Sequence, residues 1–356
     1  GRRRLFDVDD VEGLARRSRQ SRSVETRVAT ITTSVTQLTD RGPVYRGRLA
    51  VGLAEEASFE DAAEVVWDTA TPSDLDAWCP LSIGRPPATF SALDRIRWAV
   101  LVAGAGDPLR SDARAEKVVR SARRLVATAV DVLDPVSTSA RATDRSEGRA
   151  LASTLTTRLT SMVTPAAVRA VDAALVVLAD HELATSTMAV RMAASTRADV
   201  YDALLAGLST VAGPLHGGAS PNAYALLEAA RRHGARRGLD DTLRWQGRLH
   251  GFGHSVYREG DPRFAVLWER FCELATPADR RLAEEVVDLA AREDVPFPNV
   301  DLALAALAWT SGMAPDAGQT MFMVARIVGW VAHYLEELDE RPLRYRARGV
   351  YATPRR

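Results

Sequence analysis

The sequence predicts an all-α fold with one small β-hairpin near its N-terminus. Apolar residues recur at steps of three and four over most of the 356 residues, which is typical of amphipathic and buried helices. β-Branched residues form a run only at 28–35, and no strand pattern alternates with the helices that follow. This pattern argues against a Rossmann or other doubly wound fold, because such a fold needs strands and helices in alternation.

The first elements are a hairpin and a capped helix. The β-branched residues 28–35, the turn sequence Asp-Arg-Gly-Pro at 40–43 and the apolar Val44 and Tyr45 together predict the hairpin. Ser58 is followed by two acids, which is typical of a helix N-terminus. We expect helical structure from there onwards.

Two later helices differ in their surroundings. Residues 111–133 keep apolar positions at helical spacing among arginines and acids, which predicts an amphipathic helix. Thr164 can cap the next helix, and Pro165 suits its first position. Because that helix is apolar on nearly every side, we expect it at the centre of the protein.

Composition excludes several kinds of function. The 46 basic and 46 acidic residues cancel, so no nucleic-acid surface is expected. Lys117 is the only lysine, which rules out a Walker A motif, and we expect it to be solvated. Cys79 and Cys272 form no disulfide framework or cysteine zinc site, which fits a reducing cytoplasm. No stretch is long and apolar enough to span a membrane.

The basic N-terminal segment, residues 1–27, stands apart from the rest. Residues 3–17 resemble the end of a MerR-like helix-turn-helix module, which would continue upstream of this sequence. A solvated basic tail or a cloning remnant explains the same arginines.

Two histidines stand out next to predicted helix ends. Asp-His-Glu at 180–182 ends the central helix, and the favoured interpretation of this segment alone is that it reaches the surface. His216 lies in Pro-Leu-His-Gly-Gly, where glycines let the backbone approach a ligand. The start of the next helix disfavours imidazolium, so a neutral His216 could donate a hydrogen bond to a carbonyl. A turn with a capping histidine is the alternative.

A glycine-rich loop carries the next polar residues. His250 and His254 have the spacing of helical metal ligands, but the glycines between them make a helix improbable and no further ligand completes a zinc site. Arg258 and Arg263 follow His254 and suit an anionic substrate, because guanidinium pairs with carboxylate or phosphate. Solvated surface arginines are an equal alternative.

An aspartate and an arginine complete the candidates. Asp301 follows Pro-Phe-Pro-Asn-Val and is either a stabilising carboxylate at a helix start or a base held by the prolines. Arg326 is the one charge in the apolar run 321–333, so an anion must meet it, either a structural acid or a substrate carboxylate. Further arginines follow at positions 341, 344, 346 and 348.

Several of these segments match one family in order. Pro-Leu-His-Gly-Gly-Ala at 214–219, Gly-Phe-Gly-His at 251–254, Asp-Pro-Arg at 261–263 and Pro-Asn-Val-Asp at 298–301 resemble the signatures of the citrate synthase family. The similarity runs from about residue 28 through the helix at 325–330 to the C-terminus. It implies a helical homodimer whose large domain (28–216 and 311–356) and small domain (217–310) close over the active site.

The resemblance implies an acyltransferase that condenses acetyl-CoA with oxaloacetate and water to give citrate and CoA, without a cofactor or metal. His216 would bond the thioester carbonyl, Asp301 would remove a methyl proton, and His254 would protonate the oxaloacetate carbonyl oxygen. The other implied ligands bind substrates: His181, Arg263, Arg326 and, lent by the partner subunit, Arg344 for oxaloacetate, and Arg258 for CoA.

Departures from the family pattern leave two alternatives open. The family usually has asparagine where this chain has Ala184, and Tyr345 replaces the proline of a common Arg-Pro-Arg, which leaves the choice between Arg344 and Arg346 open. A 2-methylcitrate synthase using propionyl-CoA is the nearest alternative, since one methylene gives little discrimination. A ligand-sensing regulator without activity is the alternative of another class.

Overall fold

The structure is a computed structural model that describes residues 31–70, 75–136, 150–213 and 216–346. The chain divides into a short N-terminal unit, Gly1–Thr33, and a compact unit, Ser34–Arg356. The basic segment 1–27 with its helix-turn-helix alternative lies outside the described residues, as do residues 28–30 and Arg348.

The predicted hairpin is present as part of a three-stranded antiparallel sheet. Its strands are β1 (Thr36–Thr39), β2 (Gly42–Tyr45) and β3 (Arg48–Leu49). Pairing of Thr39 with Gly42 leaves a two-residue turn between β1 and β2. The first strand thus begins at Thr36, after the β-branched run in which the sequence placed it, because the turn sets the register.

Fourteen α-helices form most of the remaining described structure, with one 3₁₀ helix at Leu75–Trp78. They are α1 (Ala50–Glu56), α2 (Phe59–Trp67), α3 (Ala92–Gly106), α4 (Ala115–Asp131), α5 (Ala150–Leu159), α6 (Pro165–Leu178), α7 (Thr185–Ser195), α8 (Val200–Val211), α9 (Ala219–His233), α10 (Ala235–Gln246), α11 (Pro262–Leu274), α12 (Pro277–Arg292), α13 (Val300–Thr310) and α14 (Ala317–Leu338).

Local sequence explains where two of these helices begin. Ser58 caps α2 in a reciprocal capping box with Asp61, and the Thr164 hydroxyl accepts the Ala167 N–H at the start of α6. The expectation for Lys117 was wrong: on α4 its ammonium group pairs with Asp107 Oδ2 at 2.7 Å and is only partly exposed.

Three helices are buried over most of their length, and each carries a candidate site residue within it or next to one of its ends. All residues of α6 from Ala170 to Leu178 are buried, as are nearly all of α13 and most of α14. An apolar helix leaves polar groups only where it ends or where a partner meets them. Asp301 lies in the first turn of α13, Arg326 lies within α14, and residue 181 follows α6.

A second, smaller hydrophobic cluster lies entirely within residues 217–310. It is formed by Leu226, Ala230, Ala235, Leu239, Leu249, Val286 and Ala290. A core of its own is what a separate small domain needs, although the domain division remains a prediction. No helix among the described residues is long and apolar enough to cross a membrane.

Candidate active site

Six of the eight residues singled out by the sequence line one cleft of about 450 Å³. These six are His181, His216, His254, Arg263, Asp301 and Arg326. Part of the lining comes from residues 217–310 and part from the chain before and after them. The cleft therefore lies where the two predicted domains would meet.

The other two residues, Arg258 and Arg344, do not line this cleft. Arg258 is exposed. Arg344 lines a different cleft of about 770 Å³, and its Nε and Nη2 donate to the Glu337 carboxylate at 2.7 and 2.5 Å. The Glu337 carboxylate thus takes two of the five N–H donors of Arg344 and offsets its charge.

His216 faces the N-terminus of α7. Its Nε2 accepts the Ser186 backbone N–H at 3.4 Å and lies 2.8 Å from the Ser186 hydroxyl, so the ring carries its proton on Nδ1. Burial and the charge of Arg326 lower the pKa of His216. The ring is therefore neutral at pH 7, and the helix start that favours this is that of α7, not that of the helix following His216 in sequence.

His254 has hydrogen-bond donors on both sides of its ring. Nδ1 accepts the backbone N–H of Val256 at 3.0 Å, so a neutral ring carries its proton on Nε2. Nε2 lies 3.3 Å from Nη2 of Arg263, which is also a donor. Burial and the charge of Arg263 lower the pKa of His254. An oxygen placed between the two donors would accept from both.

Two backbone hydrogen bonds join the loop that carries His254 to the segment that precedes Asp301. The Gly253 N–H donates to the Phe297 carbonyl at 2.7 Å, and the Asn299 N–H donates to the Gly251 carbonyl at 2.9 Å. Gly251 has φ +86°, and a Cβ there would come within 2.9 Å of Leu302. Only glycine fits this position, because it tolerates both the backbone angle and the close approach.

Asp301 is a carboxylate with an altered pKa at the start of α13. Asn299 caps the helix by accepting the Asp301 N–H at 2.9 Å. Burial raises the pKa of Asp301 to about 6, against the opposing charge of Arg263. The group is mostly ionised at pH 7, and its proton affinity is well above that of an ordinary aspartate, as suits a general base.

Arg263 is held by Asp261, a neighbour in the Asp-Pro-Arg segment whose role the sequence alone does not reveal. Asp261 accepts from Arg263 Nε at 3.0 Å and from Nη2 at 2.9 Å, and it also accepts the Val300 N–H at 3.0 Å. Burial alone would raise the pKa of Asp261, but the charge and hydrogen bonds of Arg263 outweigh this effect, so the pKa is lowered. Asp261 thus joins the starts of α11 and α13.

Arg326 is buried, and no carboxylate in the described part of the chain lies within ion-pair distance of it. Its Nε donates to the Leu178 carbonyl at 2.9 Å, and its Cζ lies 4.5 Å from the centre of the Phe322 ring. Within the described residues it forms no ion pair, although the charge of Asp180 acts on it at longer range. A buried guanidinium in a cleft, paired only to a carbonyl, favours a ligand carboxylate as its anion.

The segment after α6 does not simply reach the surface, contrary to the interpretation favoured for it. Asp180 and His181 are both buried. His333 on α14 lies 3.2 Å from Asp180 Oδ2, and Glu182 adopts φ +55° at the edge of the cleft. Burial, followed by the charges of Arg263 and Arg326, lowers the pKa of His181 well below its ordinary value.

The fold and the cleft together indicate an enzyme-like site for acid–base chemistry. A base, three neutral histidines and two arginines in one cleft of a helical protein suit proton transfer on an anionic carbonyl compound. Among the described residues, no group of three or more His, Cys, Asp or Glu side chains is arranged to hold a metal ion.

The chain belongs to the citrate synthase family. The family model described as "Citrate synthase, C-terminal domain" matches residues 23–346. Citrate synthase 2 of Bacillus subtilis is 29% identical over 94% of this chain and 96% of that protein. 2-Methylcitrate synthase 2 of Corynebacterium glutamicum is 27% identical over 84% of this chain and 86% of that protein.

Solved structures share the fold. Citrate synthase from Thermotoga maritima superposes with a TM-score of 0.72 at 23% identity, over 92% of this chain and 94% of that one. A ternary complex of Thermoplasma acidophilum citrate synthase with carboxymethyl coenzyme A and oxaloacetate gives 0.69 at 21% identity, over 94% and 97%. The all-α fold with its small hairpin is thus confirmed.

Proposed function

We propose that this protein condenses acetyl-CoA with oxaloacetate and water to give citrate and CoA. The observation that carries the proposal is the shared cleft, in which a carboxyl group with a pKa of about 6, Asp301, lies with a neutral His216 and two arginines. Each of these groups suits one step of that reaction.

The first step is removal of a proton from the acetyl methyl group. Asp301 takes the proton, and the negative charge that develops moves to the thioester oxygen. His216 donates its Nδ1–H to that oxygen, because Nε2 already accepts from Ser186. One such donor is worth about 2.7–4 kcal/mol in comparable oxyanion sites.

The second step forms the carbon–carbon bond. The enolate carbon attacks the carbonyl carbon of oxaloacetate as the carbon–oxygen π bond opens. The carbonyl oxygen, which fits the position between Nε2 of His254 and Arg263, takes the Nε2 proton of His254, and the proton that Asp301 removed from the methyl group restores it. His181, Arg263 and Arg326 bind the carboxylates. Water then hydrolyses the citryl thioester, which leaves citrate and the CoA thiol and makes the sequence irreversible.

A 2-methylcitrate synthase that uses propionyl-CoA is the second candidate. It is favoured by 2-methylcitrate synthase relatives that align over 82–84% of this chain. One extra methylene is worth only about 1–3 kcal/mol of discrimination in a pocket, so both thioesters must be compared directly.

The remaining parts of the proposal concern assembly. We propose a cytoplasmic homodimer that uses no cofactor, with residues 217–310 as the small domain closing over the cleft. Cys79 and Cys272 remain thiols, which suits a reducing compartment. The resemblance gives Arg344 to the partner's site and Arg258 to CoA. Arg346, which is exposed, is an alternative to Arg344 because Glu337 already binds Arg344.

Thiol release from acetyl-CoA and from propionyl-CoA, with and without oxaloacetate, tests the function. We expect oxaloacetate-dependent release, and the ratio of the two rates assigns the acyl substrate. Asp301→Asn should abolish turnover and leave CoA binding intact. Binding of both ligands without any turnover by the wild-type protein would instead indicate a ligand-sensing regulator.

A further inference from the structure

Tyr257 is a buried aromatic residue in a loop whose neighbours are exposed. Only 5% of Tyr257 is exposed, against 46% of the adjacent Val256. Tyr257 does not line the cleft, but it contacts three residues that do. Its ring centre lies 4.8 Å from that of His254, 5.7 Å from that of His181 and 5.6 Å from Cζ of Arg263.

The phenol group of Tyr257 determines where His181 carries its proton. Tyr257 Oη lies 3.2 Å from Nε2 of His181 and has no other hydrogen-bond partner among the described residues. Burial raises the pKa of Tyr257 to about 12, so the phenol keeps its proton, while the lowered pKa of His181 keeps that ring neutral. If His181 donated to the phenol oxygen, the phenol proton would be left without an acceptor.

The remaining arrangement satisfies both groups. The Tyr257 O–H donates to Nε2 of His181, and the ring proton of His181 is then on Nδ1. His181 lines the cleft, and Nδ1–H is then its only ring donor, which a bound oxygen would share with the backbone carbonyl of His181. The tautomer of a ligand-binding histidine is thereby set by a residue that does not itself reach the ligand.

The same tyrosine also supports the neighbouring histidine. Its backbone N–H lies 3.3 Å from Nδ1 of His254, and its ring packs against the imidazole of His254 at an angle of 34°. Movement of Tyr257 would therefore disturb both histidines together.

We propose that Tyr257 is a positioning residue for the 2-oxo acid substrate. Its phenol fixes the tautomer of His181, and its ring holds His254 and Arg263 in place. This inference rests on the proposed function, in which those three side chains meet oxaloacetate.

Steady-state kinetics of the full-length protein test the proposal. Tyr257→Phe keeps the ring and removes the phenol donor, so KM for oxaloacetate should rise roughly 2- to 10-fold, as for loss of one hydrogen bond. KM for acetyl-CoA should change less than about 2-fold, because the contacts of Tyr257 lie on the other substrate's ligands. Tyr257→Leu, which also removes the ring, should raise KM for oxaloacetate further and lower kcat.

Tyr334→Phe is the matched control. Tyr334 is equally buried and donates its phenol proton to the Ala198 carbonyl at 3.1 Å, away from the cleft. Both Phe variants should lower Tm, but only Tyr257→Phe should alter KM for oxaloacetate. An equal rise in KM in Tyr334→Phe, or no change in Tyr257→Phe, would overturn the proposal.

Nitrogen-15 NMR of the histidine rings separates this inference from the proposed function, since it needs no turnover. The chain has only six histidines, so the ring signals can be assigned by substitution. His181 should carry its proton on Nδ1 in the wild-type protein and lose that strict preference in Tyr257→Phe. A proton on Nε2 in the wild type would refute the inference. The expected signals in a protein inactive towards oxaloacetate would leave the tautomer assignment standing and refute the function.

Discussion

The altered proton affinity of Asp301 predicts an unusual pH dependence. As the proposed base, Asp301 would work only when ionised, so a raised pKa moves the loss of activity to a higher pH. With a pKa of about 6, the ionised fraction falls from about 90% at pH 7 to about 9% at pH 5. We therefore expect kcat/KM for acetyl-CoA to fall about tenfold between these values.

An ordinary aspartate would not produce this change. With a pKa of 3.8 it would still be about 94% ionised at pH 5, and the rate would hardly change. The pKa values of His181, His216 and His254 are all lowered, which moves protonation of these rings to lower pH than for ordinary histidines. Substitution of Asp301 therefore decides which group produces the acidic limb.

The assay follows loss of the ultraviolet absorbance of the thioester, because thiol reagents themselves respond to pH. Circular dichroism at each pH checks that the protein stays folded. Asp301→Glu keeps a carboxylate and should retain an acidic limb at a reduced rate. Asp301→Asn, which has no carboxylate, should show no turnover and therefore no acidic limb. An apparent pKa near 4, or a rate unchanged between pH 7 and pH 5, would show that the acidic limb does not come from an aspartate base with a raised pKa.

Three further predictions concern stability and the C-terminal arginines. Burial raises the pKa of Glu60 from 4.5 to about 8, so the free energy of unfolding should fall by up to about 1.4 kcal/mol per pH unit between pH 4.5 and pH 8. Urea unfolding at several pH values checks this: in Glu60→Gln the free energy of unfolding should depend less on pH and should be higher than that of the wild type at high pH. A Cβ at Gly329 would overlap Asp180 Oδ1, so Gly329→Ala should lower stability by about 1–3 kcal/mol, whereas Gly52→Ala, where a Cβ meets nothing, should not. Arg344→Ala should lower Tm, because the buried Glu337 carboxylate loses one of its guanidinium partners. A rise in KM for oxaloacetate that is confined to Arg346→Ala would identify Arg346 as the arginine given to the partner subunit's site.

Much of the fold and site could be predicted because the signals are local. Caps such as Ser58 and the apolar run around Arg326 lie within a few residues of the structure they determine. The partners that set proton positions are different. Ser186 lies 30 residues from His216, and Tyr257 lies 76 residues from His181, so periodicity and local motifs give no sign of them. Those pairings depend on how the buried helices pack.

The charges that line the cleft bear on how a dicarboxylate could bind. Arg263 and Arg326 contribute two positive charges, and Glu182 and Asp301 contribute two negative charges at pH 7, so the charged side chains of the lining sum to zero. Asp261 further offsets Arg263 from behind. Oxaloacetate would add two negative charges to a site whose histidines are neutral, and a partly desolvated site tolerates such an imbalance poorly. An additional cation brought from outside this lining would offset one of those two charges, which supports the proposal that a C-terminal arginine of the partner subunit completes the site.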